Sequence, residues 1–316
     1  MNHGAGRSLD DFWLYPNGAL PTAGGRPYSQ LKSIPETHMV PRRPLLALAA
    51  SAAASLALLV SSAPRILAVG AEIPLERALA ILDKAGVRMA AVSSTSDEAT
   101  IKMYRADPKR VVPMLRPYRT RSDMGGWHND AGIPAYLAER LKLGVHKGIG
   151  EFHLYGEDAG SAVMKEIVRM AVARNLILHA HSDARAVDIL FRHDARARVL
   201  WAHAGFTNPA EVERMMARHP NLWVETAIRG DIGPGGALDP AWAAVFVKYP
   251  DRWLVGTDTY VTSRWHRMPE IHAETRAWLA KLPPAVAEKM AWRNGTKLFG
   301  ISEATFTGAA PAKKAE

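Results

Sequence analysis

Short apolar runs alternate with amphipathic stretches from Ile66 onward, and this alternation predicts strands followed by helices. The eight runs that predict strands are, in chain order, RILAV, VRMAAVSS, RVVPMLRPY, GIGEFHL, LILHAHS, RVLWAH, NLWVETAI and WLVGTDTY. The stretches that predict helices include PLERALAILDKAG, IPAYLAERLKLG, SAVMKEIVRMAVARN, PAEVERMMARHP and DPAWAAVFVKYP. Proline near the start of several stretches, and Gly or Asn near the end, are typical of helix boundaries.

This repetition of strand and helix predicts an α/β fold, specifically a (β/α)8 TIM-type barrel. A doubly wound open sheet is the alternative, because periodicity does not prove that a sheet closes. The sequence contains no GxGxxG motif or P-loop at the start of a predicted helix, so the nucleotide-binding form of an open sheet has little support. In a barrel, the chemistry lies at the carboxyl ends of the strands.

The N-terminal part of the chain has a different character. The sequence divides into a disordered or doubtful N-terminal extension (1–38), a signal peptide or membrane anchor (39–63), a barrel (64–303) and a disordered tail (304–316). Arg42 and Arg43 precede an uncharged stretch rich in Ala and Leu, and small residues follow it, which is typical of a secretory signal. Met39 would be a natural start for such a signal, which puts the preceding residues in doubt.

A signal of this kind predicts an exported protein, periplasmic or secreted. An uncleaved membrane anchor and a buried helix are the alternatives, because the apolar stretch is close to the shortest length that spans a bilayer. Contact with a membrane is expected through this N-terminal segment alone.

Composition excludes several kinds of chemistry. The 316 residues include no cysteine, which excludes disulfides, thiolate metal sites and a cysteine nucleophile. The formal net charge of +9 would suit an anionic partner. Lys and Arg are nevertheless scattered, and no basic run is interleaved with aromatic residues, so we do not expect a nucleic-acid partner. We expect a small-molecule substrate, and the sequence gives no indication of the oligomeric state.

Polar side chains stand where four of the predicted strands end. These residues are Glu151, His179 with His181, His203 and Asp258. A single residue of this kind would usually be a hydrogen-bonded core residue or a capping residue, but several at the same end of a barrel need partners. Burying them unpaired would cost several kcal/mol, and nitrogen and oxygen donors without sulfur suit Zn²⁺ or a similar ion. The pattern therefore predicts a divalent metal ion, with zinc favoured, that activates water.

Several of these stretches resemble a known group of enzymes. GIGEFHLYG resembles the strand-four motif of TatD-like hydrolases, and LILHAHSD, VLWAHAGF and LVGTDTY resemble later strands of the amidohydrolase superfamily. RNGTKLFG is similar to the closing helix of those proteins. The resemblance is closest to amidohydrolase-related, metal-dependent hydrolases and covers residues 75–300. It implies a barrel enzyme that cleaves an amide, ester, lactone or phosphoester, and it also admits a decarboxylase that uses the same site.

The resemblance assigns roles to individual residues. It makes Glu151 a carboxylate ligand that can bridge two metals, and it makes His181 and His203 the imidazole ligands of strands five and six. Asp258 becomes a metal ligand and the catalytic base. His179 has the same side-chain direction as His181 and would lie one layer deeper, as a residue that supports the ligands.

One part of the family pattern is missing. The first strand of these proteins ends in a His-x-His pair that binds metal, whereas this chain has no histidine between His38 and His128. The four remaining candidates would still hold one ion with an open position. The alternative is a catalytically inactive barrel with a binding role, or the product of a misassembled reading frame.

Further polar residues near the strand ends are weaker candidates. Arg116 and Arg119 follow the third strand and would clamp a carboxylate or phosphate of the substrate, although a solvated loop explains them equally well. His153 has the same side-chain direction as Glu151 and would line the pocket or serve as a spare ligand. Glu225 is expected either to support a ligand or to be a carboxylate at the edge of the core.

Overall fold

A computed structural model describes residues 65–68 and 71–303. The segments predicted as an N-terminal extension, a signal peptide and a C-terminal tail lie outside the described residues, so those predictions and the predicted export remain predictions. Among the residues described, no helix is long and apolar enough to cross a membrane.

The described part of the chain alternates strands with helices. The strands are β1 (Arg65–Ala68), β2 (Ala71–Pro74), β3 (Ala90–Val92), β4 (Val111–Leu115), β5 (Gly148–His153), β6 (Ile177–His181), β7 (Arg198–Trp201), β8 (Leu222–Glu225) and β9 (Trp253–Leu254). The helices are α1 (Leu75–Ala85), α2 (Asp97–Ala106), α3 (Ile133–Leu141), α4 (Ala162–Ala173), α5 (Ala184–His193), α6 (Pro209–Arg218), α7 (Pro240–Lys248), α8 (Thr262–His266), α9 (Met268–Leu279), α10 (Pro284–Glu288) and α11 (Asn294–Phe299).

Strands β3 to β9 form one parallel sheet of seven strands in sequence order. Helices connect its strands, as parallel pairing requires. The predicted fold class, a TIM-type barrel with an incomplete or atypical first strand, is confirmed.

The first predicted strand does not join this sheet. β1 pairs antiparallel with β2, from Arg65 opposite Pro74 to Ala68 opposite Ala71, in a sheet of their own. The prediction that RILAV is the first barrel strand is therefore wrong for its pairing. The hairpin between β1 and β2 closes a very short loop. A position between β3 and β9 would instead require β1 to pair with β9, which is far away in sequence. Among the described strands, none lies between β3 and β9.

Helices span this gap in the sheet. Side chains from the start of the barrel, Leu75 and Leu82 of α1 among them, form one core cluster with Trp265 of α8 and Met268 of α9. Arg276 donates a hydrogen bond to the carbonyl of Ala85 at the end of α1. Helices α1, α8 and α9 thus close the ring of the barrel where the sheet is open.

The inner face of the sheet is apolar toward the amino ends of its strands. Alternate residues of the strands, including Met114, Ile177, Leu200 and Trp223, form a cluster with Phe299 of α11. Asn294, in the helix predicted to close the barrel, donates hydrogen bonds to the carbonyls of Trp253 at 2.8 Å and Pro250 at 2.9 Å. The outer face packs on the helices in a larger apolar cluster. The polar side chains lie beyond the inner cluster, at the carboxyl ends of the strands.

Candidate metal and catalytic site

The four residues predicted as metal ligands lie close together at the carboxyl end of the sheet. Glu151 is in β5, His181 ends β6, and His203 and Asp258 follow β7 and β9. Oε1 of Glu151 lies 3.0 Å from Nδ1 of His181 and 3.1 Å from Nε2 of His203. The same nitrogen of His203 lies 3.7 Å from Oδ2 of Asp258. The structure therefore brings the four residues together, while their role as ligands remains a prediction.

A β-bulge explains how Glu151 reaches the interior. Gly150 pairs with His179 and Phe152 pairs with Ala180, so Glu151 is an extra residue between them. After the bulge, His153 pairs with His181 and shares its inward direction, while Phe152 is buried against the helices. The bulge thus lets both Glu151 and His153 face the interior.

Gly150 makes the bulge possible, because its φ is +133° and a Cβ there would lie 2.2 Å from the carbonyl oxygen of His179. We expect Gly150→Ala to lower the free energy of unfolding by about 2–4 kcal/mol, from backbone strain and overpacking together. The matched control is Gly144→Ala, where φ is +70° and no atom lies within 4 Å of the added Cβ. The control should cost only about 1 kcal/mol of strain. Urea unfolding of both variants measures the difference, and equal losses would contradict this account.

Two carboxylates hold His203. Its backbone N–H donates to Oε1 of Glu225 at 2.6 Å, and its Nδ1 lies 2.9 Å from that oxygen. The other oxygen of Glu225 accepts from the N–H of Ala227 at 2.6 Å. Burial alone would lower the pKa of His203, but Glu225 and Glu151 outweigh it and raise the pKa to about 11. Glu225, predicted either as a support or as a core-edge carboxylate, is placed here in direct contact with a candidate ligand.

The carboxyl groups of Glu151 and Asp258 have pKa values shifted in opposite directions. Burial opposes ionisation of Glu151, yet its contacts with His181 and His203 hold its pKa well below the usual value. Burial, reinforced by the charge of Glu151, raises the pKa of Asp258 to about 7. Neighbouring carboxyl groups with separated pKa values are typical of a site where one group stays ionised and the other exchanges a proton.

Asp258 is held through its backbone by a residue that the sequence interpretation missed. Arg264 donates from Nε to the carbonyl of Asp258 at 2.7 Å and from Nη2 to the carbonyl of Thr257 at 2.5 Å. Asp258 has φ of +46°, a left-handed conformation that aspartate adopts more readily than most residues, and the contacts from Arg264 hold its backbone there. The contact from Arg264 comes from the helix after the strand, and no local motif indicates it.

A cavity of about 210 Å³ opens beside these residues, along the gap between β3 and β9. Its polar wall includes Arg116, His179, Glu151 and Asp258, and its apolar wall includes Met89, Leu254 and Phe299. The cavity therefore joins the candidate catalytic groups to the space that a first strand would occupy in a complete barrel.

Several buried polar atoms of cavity-lining residues have no hydrogen-bond partner among the described residues, among them Nη1 of Arg116, Nε2 of His179 and Nε1 of Trp265. Arg116 donates from Nε to Oγ of Ser93 at 2.9 Å and contacts Oε2 of Glu151 at 3.4 Å, but its Nη1 is unsatisfied. Nε2 of His179 is unsatisfied as well, and burial lowers the pKa of this histidine. Unpaired buried donors cost about 1–3 kcal/mol each, so these groups are suited to bind a ligand. His179 thus lines the cavity.

Arg119 occupies a different place from Arg116. Its Nε and Nη2 donate to the carboxylate of Asp123 at 3.0 and 2.9 Å, and it also pairs with Asp130. These three residues belong to the loop after β4 and are not among the residues that line the cavity. The structure therefore brings Arg116, but not Arg119, to the candidate site.

A compact group of potential metal ligands comprises Glu151, His153 and His181, whose ligand atoms all lie within 4.8 Å of one another. Glu151 is buried, and the two histidines are half-buried. One carboxylate and two imidazoles with room for a further ligand are the donors of many catalytic zinc sites. The residues present thus fit a divalent ion.

The comparisons with known proteins agree with this fold. A profile of the family described as Amidohydrolase matches residues 41–301, and the chain belongs to that family. A search of curated proteins finds no match.

Solved structures share the barrel at low sequence identity. A candidate 2-pyrone-4,6-dicarboxylic acid hydrolase from Pseudomonas putida is 16% identical, with a TM-score of 0.55 over 77% of this chain and 92% of that one. A second candidate hydrolase of the same name, from Acinetobacter baumannii and with citric acid bound, is 13% identical, with a TM-score of 0.51 over 72% and 89%. An uncharacterized TIM-barrel protein from Bordetella bronchiseptica is 15% identical, with a TM-score of 0.50 over 70% and 81%. These similarities concern the fold.

Proposed function

We propose that this protein is a metal-dependent hydrolase that acts on a small organic anion. The observation that carries the proposal is the convergence of Glu151, His181, His203 and Asp258 at the carboxyl end of the sheet, beside a cavity. This is the end of a barrel at which catalytic residues are found. Membership in the amidohydrolase family supports an enzyme on this fold.

Glu151 and His181 would hold the ion in this proposal. Their ligand atoms lie 3.0 Å apart, and Glu151 is held ionised by its neighbours. When bound, such an ion supplies Lewis-acid chemistry that polarises a carbonyl and acidifies water.

Asp258 and His203 would move protons in the same reaction. Asp258, with its pKa near neutrality, would accept a proton from the attacking water at its carboxylate. His203 was predicted as a ligand, but both of its ring nitrogens lie within 3.1 Å of carboxylate oxygens. We therefore assign it the task of holding a proton on Nε2 for the leaving group, with Glu225 fixing the ring.

Arg116 would select an anionic substrate. Arg116 lines the cavity and its Nη1 is unsatisfied, and a guanidinium binds a carboxylate through directed hydrogen bonds. Two of the proteins that share the fold are named as hydrolases of a dicarboxylic acid, and one of those structures contains citric acid. We therefore place lactones and esters that carry a carboxylate first among the substrates to test.

Removal of metal tests this proposal. The full chain is freed of divalent ions with a chelator, and hydrolysis of a panel of carboxylated lactones and esters is measured before and after addition of Zn²⁺. We expect hydrolysis to fall by roughly 10²-fold or more without metal and to return with it, since Lewis-acid assistance provides several kcal/mol. A sample passed through the same steps without chelator is the control.

Three results would overturn the proposal. One is a protein that binds no divalent ion, and another is hydrolysis that persists unchanged after the ion is removed. The third is release of CO₂ from aryl carboxylic acids without hydrolysis of any ester, which would assign the site to a decarboxylase.

A further inference from the structure

Strand β5 presents two metal-ligating side chains to the interior at adjacent inward positions. The bulge at Glu151 turns its carboxylate inward, and His153 follows as the partner of His181 across the strands. The rings of His153 and His181 are 4.4 Å apart between centroids, and their ligand atoms lie within 4.8 Å of each other and of Glu151. Two neighbouring strands thus supply three donors without any contribution from a first strand.

Neighbouring aromatic residues fix His153 in this position. The backbone N–H of His153 donates to the hydroxyl of Tyr118 at 2.7 Å, and that hydroxyl lies 3.3 Å from Nδ1 of the ring. Nε1 of Trp127 donates to the carbonyl of His153 at 3.0 Å. Tyr118 and Trp127 are both buried and pack edge to face. A hydrogen-bond partner on one ring nitrogen is the usual means by which a metal-binding histidine is oriented.

His203 is placed differently. Its Nδ1 lies 2.9 Å from Glu225 and its Nε2 lies 3.1 Å from Glu151, so carboxylates face both ring nitrogens. The ring of His153 lies beside Tyr118 and His181. The compact group of potential ligand atoms, all within 4.8 Å of one another, comprises Glu151, His153 and His181. Membership in this group makes His153 the second imidazole donor beside His181.

We propose that Glu151, His153 and His181 form the metal-binding core, and that His153 takes the place of the missing first-strand histidines. This inference rests on the proposed function for the presence of an ion, and it names the chain's own ligand set. It also makes Tyr118 and Trp127 positioning residues for a ligand.

Cobalt binding tests the ligand set without relying on catalysis. Because the chain contains no cysteine, His153→Cys and His203→Cys each introduce a single thiol into the full chain. A thiolate that coordinates Co²⁺ gives a strong near-ultraviolet charge-transfer absorption. We expect this absorption in His153→Cys and none in His203→Cys. His193→Cys is the control, because that histidine bonds to the carbonyl of Ala159 at 2.8 Å in a different part of the fold.

Calorimetric titration with Co²⁺ gives a second, independent measure. We expect His153→Asn to weaken binding by roughly 100-fold or more, since removing even an outer partner of a ligand costs 10- to 100-fold. His203→Asn should weaken binding by only about tenfold, the lower end of that range, because in this ligand set it is an outer partner of the ligand Glu151. Circular dichroism establishes that each variant is folded before it is titrated.

The outcomes separate the ligand set from the proposed function. Charge-transfer absorption from His203→Cys but not from His153→Cys would overturn the ligand set, as would a wild-type protein that binds no Co²⁺. Metal-dependent hydrolysis with normal Co²⁺ binding in His153→Asn would keep the function and overturn the ligand set. Cobalt bound through residue 153 without hydrolysis of any substrate would support the ligand set while the function fails.

Discussion

Asp258→Asn is expected to lower kcat by about 10²- to 10⁴-fold, the usual contribution of a general base. The substitution removes the group that would accept a proton from water, while its amide keeps nearly the same size. Asn also tolerates the left-handed conformation at this position, where φ is +46°, and Arg264 bonds to the backbone carbonyl, which is unchanged. The fold should therefore be preserved. Steady-state kinetics on the best substrate of the ester and lactone panel measures the loss.

The control for this variant is Asp251→Asn. Asp251 pairs with Lys289 at 2.9 Å and lies before β9, at the opposite end of the strand. Its substitution should leave kcat within about twofold, since exposed ion pairs contribute little. If Asp258→Asn retained full activity with bound metal, Asp258 would not be the base.

Glu151→Gln is expected to lower the free energy of unfolding by about 3–5 kcal/mol, the cost of removing one partner from a buried ion pair. The carboxylate of Glu151 lies 3.4 Å from Arg116 and 3.1 Å from His203, and all three residues are buried. A neutral amide would leave the Arg116 guanidinium without its compensating charge. Urea unfolding at neutral pH, without added metal, measures the effect.

Glu157→Gln provides the comparison for this loss of charge. Glu157 pairs with Arg185 at 2.7 Å, and both side chains are exposed. Its substitution should cost no more than about 1 kcal/mol, because solvent screens such a pair. Similar losses in the two variants would show that Glu151 is no more important to stability than an exposed carboxylate.

The sequence predicts most of the barrel because its strands are short apolar runs between amphipathic helices. β5 to β8 coincide with predicted runs, and α1 follows β2 as its pattern indicates. The pairing of β1 could not be predicted, since RILAV is equally compatible with a barrel strand and with a hairpin. Local periodicity identifies a strand, but it does not identify the partner of that strand. The partner depends on whether a neighbouring segment or a distant edge of the sheet pairs with the strand more favourably.

The candidate site could likewise be predicted only in part from the sequence. Glu151, His181, His203 and Asp258 stand at the ends of predicted strands, so their approach to one another follows from parallel topology. The β-bulge between Gly150 and Phe152 does not follow, because a one-residue shift in pairing leaves the hydrophobic pattern almost unchanged. Nor does the separation of Arg116 from Arg119, which depends on two aspartates in a loop. Backbone pairing with β6 determines the bulge, and ion pairs within its own loop determine the position of Arg119.

Closure of the ring through helices rather than strands links the two ends of the domain. Trp265 and Met268 share a core with Leu75 and Leu82, residues that lie far earlier in the chain. Since no described strand joins β3 to β9, this packing replaces the backbone hydrogen bonds that would otherwise join the two edges of the sheet. Helix α1 and helices α8 and α9 therefore belong to one cooperative folding unit, in which neither part can be lost without exposing the core of the other.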